Sequence, residues 1–375
     1  MLLAALASLV IANTDAYEPF HAFWATPVLF GFAGEGSAFS PGEMVNKLLM
    51  TVFFFMMGLR IRNELRASTL SGVRTMAIPL FAAVGGLVLP IAFYLLACTG
   101  NPEASAGWAI PTATGIAFAI GVMALLGERV TEDTHAFLNS TALAGDIATV
   151  FIIAFFYTKN LSVLWIALTL AIIGVLLFLN KARVTSFVPY AVLGLGLWYC
   201  VLRSGFHPTM AGVVLAFTLP GNVPGGQEGQ TMLQELQRRL FPLVFYVIVP
   251  LFAFSNGDVR LAGSGVAVMI SSPVFLGTLL GLLLGKPLGI ALFAALPVQL
   301  GVAPSARRLK PLQAIGAGCL CGIGFPMAIF VASLAFADPV LLDEAKAGIL
   351  VASLLSGIAG CIVLRLIAGK TADAD

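Results

Sequence analysis

The sequence predicts an all-α polytopic membrane protein of about twelve transmembrane helices, read as one integral-membrane unit over residues 1–375. Three observations carry that expectation. Of the 375 residues, 59% are hydrophobic and only 10% charged, with a mean hydropathy of +0.99, whereas a soluble domain carries about 25% charge. Apolar windows approaching the roughly twenty residues that span the hydrocarbon core as a helix recur along the whole chain. Two of these windows are interrupted by Pro, Gly and Thr at mid-membrane depth, where non-helical backbone is tolerated only if it is buried in protein or lines a water-filled cavity.

Taken in order, the windows fall near residues 1–13, 44–59, 75–97, 111–126, 136–157, 161–180, 187–202, 205–219, 240–255, 266–297, 313–336 and 345–367. The first is too short to cross as a helix, so either that span is truncated or the start lies upstream. No basic n-region or cleavage site precedes Asn13, so no signal peptide is expected. Lys and Arg set the orientation, because short cytoplasmic loops hold the excess. Fourteen, among them Arg60, Arg74, Arg129, Lys181, Arg308 and Arg365, lie on one side and four (Lys159, Arg203, Arg260, Lys346) on the other. Both termini are therefore expected in the cytoplasm. Lys47 sits near a helix start, where it can snorkel, and Lys286 lies deep in the tenth span.

Several function classes drop out. The net charge of +2 implies no nucleic-acid partner. Cys98, Cys200, Cys319, Cys321 and Cys361 lie in or beside apolar runs, and Cys319-x-Cys321 lacks a second ligand pair, so neither a disulfide framework nor a bound metal is expected. The Gly-rich stretch Gly221–Gly229 has no lysine for a phosphate loop, and no cofactor is implied. Intramembrane aspartyl proteolysis needs two carboxylates. Asp146 is the only acid well inside a span, the other seventeen Asp and Glu lying in loops, tails or near helix ends, so the chain is not expected to be an enzyme.

Asp146 is the residue around which a function can be built. It stands in Thr141–Thr149 with no other formal charge between Ala136 and Tyr157. A mid-bilayer carboxylate costs roughly 2.5–3.5 kcal/mol on insertion scales and by default marks an ion or proton pathway. Asn139, seven residues earlier, and Thr149, three later, share its helix face. They are read either as supporting ion ligands or as interhelical hydrogen-bonding groups. The interrupted windows are Gly107–Gly121, with Pro111, Thr114 and Gly115, and Gly316–Met327, with Gly318, Gly322, Gly324 and Pro326. Paired breaks at matched places in two halves point to a transporter site between inverted repeats. The competing account of the glycines is close helix packing.

The runs Gly107-Trp-Ala-Ile-Pro-Thr-Ala-Thr114, Ile116–Gly127, Ala154-Phe-Phe-Tyr-Thr158, Leu202-Arg-Ser-Gly-Phe-His207, Pro250–Asn256, Gly285-Lys-Pro-Leu-Gly289 and Cys321-Gly-Ile-Gly-Phe325 resemble the NhaA family of bacterial sodium/proton antiporters, in register from first span to last. The resemblance implies a twelve-helix fold with two crossing, discontinuous helices, an architecture for which that family is a standing example. It further implies Na⁺ or Li⁺ and H⁺ as transported species, a homodimer in the lipid bilayer of the inner membrane, and no resident cofactor. The family's site residues carry over unevenly. Asp146, Thr114 and Lys286 match the second of two adjacent aspartates, the threonine of a Thr-Asp pair and the lysine of the tenth helix. Gly145 and Gly115 stand where the family carries the other two aspartates.

Of the family's pH-response groups Glu64 and His207 are kept, while Arg60, Gln237, Arg238 and Phe241 replace acidic or imidazole groups. Asp146 and Thr114 are therefore the expected cation ligands, completed by Asn139, Thr149 or carbonyls freed near Gly115 and Gly322–Gly324. Lys286 is the expected charge partner. With its family aspartate missing, it either pairs with Asp146, giving a neutral structural pair, or loses its proton. A non-transporting homologue kept as an interaction partner is the alternative.

Overall fold

A computed structural model describes the chain apart from residues 1, 31–36, 72, 128–129, 159–160, 222–231, 261–265, 304–310 and 373–375. Arg129, Lys159, Arg307, Arg308 and Lys310, used above for orientation, and most of Gly221–Gly229 lie outside the described residues. Helix occupies every expected span. Among the described residues, eight segments are continuous helices long and apolar enough to cross a bilayer: Pro41–Arg66, Met76–Ala97, Glu132–Phe156, Val163–Lys181, Phe187–Ser204, Met232–Asn256, Pro273–Gln299 and Pro339–Ile367. They are the second, third, fifth, sixth, seventh, ninth, tenth and twelfth spans. The first (Leu2–Ala12) and eighth (Met210–Thr218) are short, and the fourth and eleventh are broken.

Local chemistry explains where the boundaries depart from hydropathy. The second helix starts at Pro41 because Ser40 and Glu43 form a reciprocal capping box: Ser40 Oγ accepts from the Glu43 amide at 3.1 Å and Glu43 Oε2 from the Ser40 amide at 3.2 Å. The long tenth window is two helices, Val266–Ser271 and Pro273–Gln299, because Ser272 turns extended and caps the second with its Oγ on the Val274 amide at 3.2 Å. A small antiparallel hairpin, Val28–Phe30 with Ser37–Phe39, was not expected from the sequence.

The chain divides into two compact units, each made of two stretches of sequence. One comprises Met1–Ala67 and Ile152–Asp258. Its core gathers Leu59, Tyr190, Leu197, Leu215 and Leu233. Gly212 lets the short eighth helix lie against the second, where a Cβ would come within 2.3 Å of the Thr51 carbonyl. The end of the eighth span is tied by Asn180 Nδ2, which donates to the carbonyls of Thr218 and Leu219 at 2.7 Å each, and by Arg62, which donates to the Ala216 carbonyl at 2.8 Å.

The other unit comprises Ser68–Phe151 and Val259–Asp375. Its core joins Ala82, Met123, Leu138, Ile290 and Leu320. Here the third and tenth helices approach to backbone contact at a glycine pair, since a Cβ on Gly85 would lie 2.1 Å from the Gly289 carbonyl oxygen and one on Gly289 equally close to that of Gly85. Gly318 brings the eleventh helix onto Pro287 in the same way, at 2.7 Å from its Cα. These contacts fix the turn of the tenth helix that carries Lys286. That residue directly follows a π-helical turn, Gly281–Gly285, a distortion frequent at functional sites.

Candidate ion-binding site

Both interrupted windows are non-helical at their centres. In the fourth span a 3₁₀ turn, Ile110–Thr112, gives way to extended backbone at Ala113 (φ −64°, ψ 146°), and helix resumes only at Ile116. In the eleventh the helix Pro311–Cys321 stops, and Met327–Ala335 begins after a non-helical connection. The two breaks meet. The Gly115 amide donates to the Ile323 carbonyl at 2.6 Å, and a Cβ on residue 115 would lie 2.4 Å from the Phe325 carbonyl oxygen and 2.6 Å from that of Ile323. Only glycine fits this crossing without displacing backbone.

A break at this depth leaves carbonyls without intrahelical partners, and Lys286 satisfies three of them. Its buried Nζ donates to Pro111 O at 3.3 Å, Thr112 O at 2.9 Å and, most closely, Ala113 O. An ammonium has three hydrogens, so each has a backbone acceptor here. Neither of the two states expected for Lys286, a neutral pair with Asp146 or loss of the proton, took the unwound backbone into account as a set of partners.

The fifth helix, Glu132–Phe156, supplies the opposing wall. Asp146 lies on this wall and is 1% exposed. Thr149 Oγ1 donates to Gly145 O at 3.0 Å and lies 3.5 Å from Thr112 Oγ1, so it ties the fifth helix to the broken segment. Asn139 is half-buried two turns earlier on that helix. Beside Gly145 a small cavity is lined by Thr112, Thr114, Thr141, Lys286 and Cys321 together with apolar groups. A Cβ on Gly145 would meet nothing closer than Thr114 Oγ1 at 3.7 Å.

A family model described as Na⁺/H⁺ antiporter 1 matches residues 1–364. The chain belongs to this antiporter family. It is 41% identical to the Na(+)/H(+) antiporter NhaA 2 of Pseudomonas syringae pv. syringae over 99% of this chain and 92% of that protein. It is 40% identical to the Na(+)/H(+) antiporter NhaA of Vibrio campbellii over 99% and 93%, and 38% identical to that of Koribacter versatilis over 97% and 88%. Family membership and the eight long apolar helices make it a multi-pass protein of the bacterial inner membrane.

Within this antiporter fold the residues singled out from sequence divide between the units. Thr114, Gly115, Gly145, Asp146, Thr149, Lys286, Gly322 and Gly324 all belong to the second unit, and Asn139 with them. Glu64 and His207 belong to the first. His207 is half-buried and shares a hydrogen bond between Nδ1 and Thr209 Oγ1 at 2.8 Å.

Of the carbonyls at the breaks that were candidates for an ion shell, those of residues 111–113 accept from Lys286, Ile323 O accepts from Gly115, and Gly324 O accepts from the Ala328 amide at 2.9 Å. Two features of the site that sequence reasoning did not single out are this carbonyl cradle and the cavity-lining Thr141. The spacing of Thr141 four residues before Gly145, which puts both on one helix face, was the signal available.

Proposed function

We propose that this chain exchanges Na⁺ or Li⁺ for protons across the inner membrane, with Asp146 as the single carboxylate that holds either a cation or a proton and Thr114 as a neutral oxygen ligand. Competition for one carboxylate is sufficient for coupled exchange if only occupied states cross. The observation that most supports this reading is the cradle around Lys286: three backbone carbonyls compensate the ammonium, so Asp146 is not required as its sole counter-charge. Hard monovalent cations gain most from an anionic oxygen in a low-dielectric site, and Asp146 supplies one. Identity near 40% along almost the entire length of named antiporters favours retained exchange over a non-transporting relative.

In this reading Gly145 and Gly115 are lost carboxylate positions, Thr149, Gly322 and Gly324 shape the site without coordinating, and Asn139 lines the approach. Glu64 is the residue left for a pH response, and His207, bonded to Thr209, is read as structural. The protein works as a homodimer surrounded by lipid with both termini in the cytoplasm. The test is cation-dependent collapse of ΔpH in everted vesicles by the native chain and by Asp146→Asn. The native chain is expected to respond to Na⁺ or Li⁺ and the variant to fall to the empty-vector level. Equal responses from the two would remove Asp146 from the mechanism.

A further inference from the structure

Thr141 shares with Thr278 a buried helical hydroxyl that has no hydrogen-bond partner among the described residues. Thr51, Thr149 and Thr169 each donate their hydroxyl to the carbonyl four residues back, the ordinary way to satisfy that group in an apolar helix. Thr141 is 2% exposed and its Oγ1 has no hydrogen-bond partner among the described residues. It lines the cavity beside Gly145 instead, together with Thr114 and Lys286.

A buried hydroxyl without a partner is costly, and few native groups stay so. The cavity offers about 10 Å³ to the centre of a water-sized sphere, which is room for one water, and a buried water needs two to four polar partners. The hydroxyls of Thr141, Thr114 and Thr112, all of which line the cavity, provide them, since the ammonium hydrogens of Lys286 are already taken by carbonyls. The space exists because residue 145 has no side chain: it adjoins the spot where a Cβ would meet only Thr114 Oγ1.

We propose that Thr141 and Thr114 hold one structural water in the volume that a side chain at residue 145 would take, and that this water is a neutral oxygen ligand of the transported cation. Thr141 is then a positioning residue, acting on the ion through the water. The inference rests on the antiport reading for its second half only, and its first half is testable without transport.

The experiment compares Thr141→Val and Thr141→Ser with the native full-length chain in detergent and in vesicles. If the cavity is dry, valine replaces an unsatisfied hydroxyl by a methyl of the same shape and the melting temperature rises or stays level, which overturns the proposal. If the water is held, Thr141→Val melts below the native chain while Thr141→Ser matches it. In a high-resolution structure an ordered water is expected between Thr141 Oγ1 and Thr114 Oγ1, and density there in the Thr141→Val variant equal to the native would count against the assignment.

In everted vesicles Thr141→Val is expected to raise the KM for Na⁺ about tenfold, the equivalent of one lost ligand interaction, with kcat little changed and Thr141→Ser restoring the native value. An unchanged KM with lowered melting temperature rejects the ligand role. Absence of cation response in the native chain would sink the antiport reading, while the order of melting temperatures would still decide whether the water is held.

Discussion

Gly115 decides whether the two broken spans can cross as described, and alanine there is the cleanest perturbation. An added Cβ would approach the carbonyl oxygens of Phe325 and Ile323 to 2.4 and 2.6 Å, so one backbone must retreat by several tenths of an ångström. Retreat also stretches the 2.6 Å hydrogen bond from the Gly115 amide to Ile323 O. Forced overpacking in a close-packed interior costs about 1–3 kcal/mol, and a weakened buried hydrogen bond adds about 1 kcal/mol. We therefore expect Gly115→Ala to lose roughly 2–4 kcal/mol of stability on these combined figures. Gly121 is the internal control: it lies in the same span, within the helix Ile116–Leu126, and a Cβ there meets nothing within 4 Å. Alanine in a helix interior is favoured over glycine by about 0.5–1 kcal/mol, so Gly121→Ala should melt at or above the native temperature. The assay is thermal unfolding in detergent followed by the monodisperse fraction. If Gly115→Ala and Gly121→Ala melt together, the spans do not cross at residue 115 and the explanation given for the breaks is wrong.

The remaining expectations follow from the same geometry. Lys286→Leu removes the donor from three buried carbonyls, each worth about 1–3 kcal/mol when left unsatisfied, so it should fold poorly even where transport is not assayed; normal yield and melting would show that the cradle is dispensable. Gly145→Asp should fold normally, since the nearest atom to its Cβ is 3.7 Å away, and should restore a second carboxylate beside Lys286 with stronger, voltage-sensitive exchange. Gly115→Asp should melt below the native chain for the reason given for alanine, because the crossing must open to admit a side chain there, so the double replacement is expected to be less stable than Gly145→Asp alone. His207→Gln should lower stability through its bond to Thr209 without moving the pH profile of exchange; a displaced profile would make His207 part of the pH response.

The sequence exposed what depends on side-chain chemistry and hid what depends on backbone. Spans were legible because hydrocarbon demands long apolar helices, and the fourth and eleventh stood out because Pro111, Gly115, Gly322, Gly324 and Pro326 break them. The start of the second helix at Pro41 was set by a side-chain cap weaker in hydropathy than the apolar run behind it. The hairpin Val28–Phe30 with Ser37–Phe39 lies between helices in a stretch with no membrane-length pattern.

At the site, Asp146 and Lys286 were conspicuous because buried charge is rare. The partners of Lys286 were not, because a carbonyl acceptor leaves no mark on residue identity. Gly115 was read as a lost carboxylate, and the structure adds a steric requirement for glycine that no single sequence can disclose. Thr149 shares the face of Asp146 as its spacing required, yet its hydroxyl returns to Gly145 O and faces Thr112, which favours the interhelical reading. Thr141 passed unnoticed because a threonine in an apolar helix ordinarily bonds its own backbone.

The central claim is that one carboxylate carries the exchange while the lysine charge stays fixed in its carbonyl cradle. Each cycle then moves one cation one way and one proton the other, with no net charge. The direct measurement is Na⁺-driven proton flux in proteoliposomes of the purified native chain, repeated with potassium diffusion potentials of either sign. One-for-one exchange predicts the same rate and the same zero-flux gradient at every potential. Flux that follows the imposed voltage, or a current carried by Na⁺ addition alone, would mean that a second charge crosses with the ion, and the single-carboxylate mechanism would be wrong.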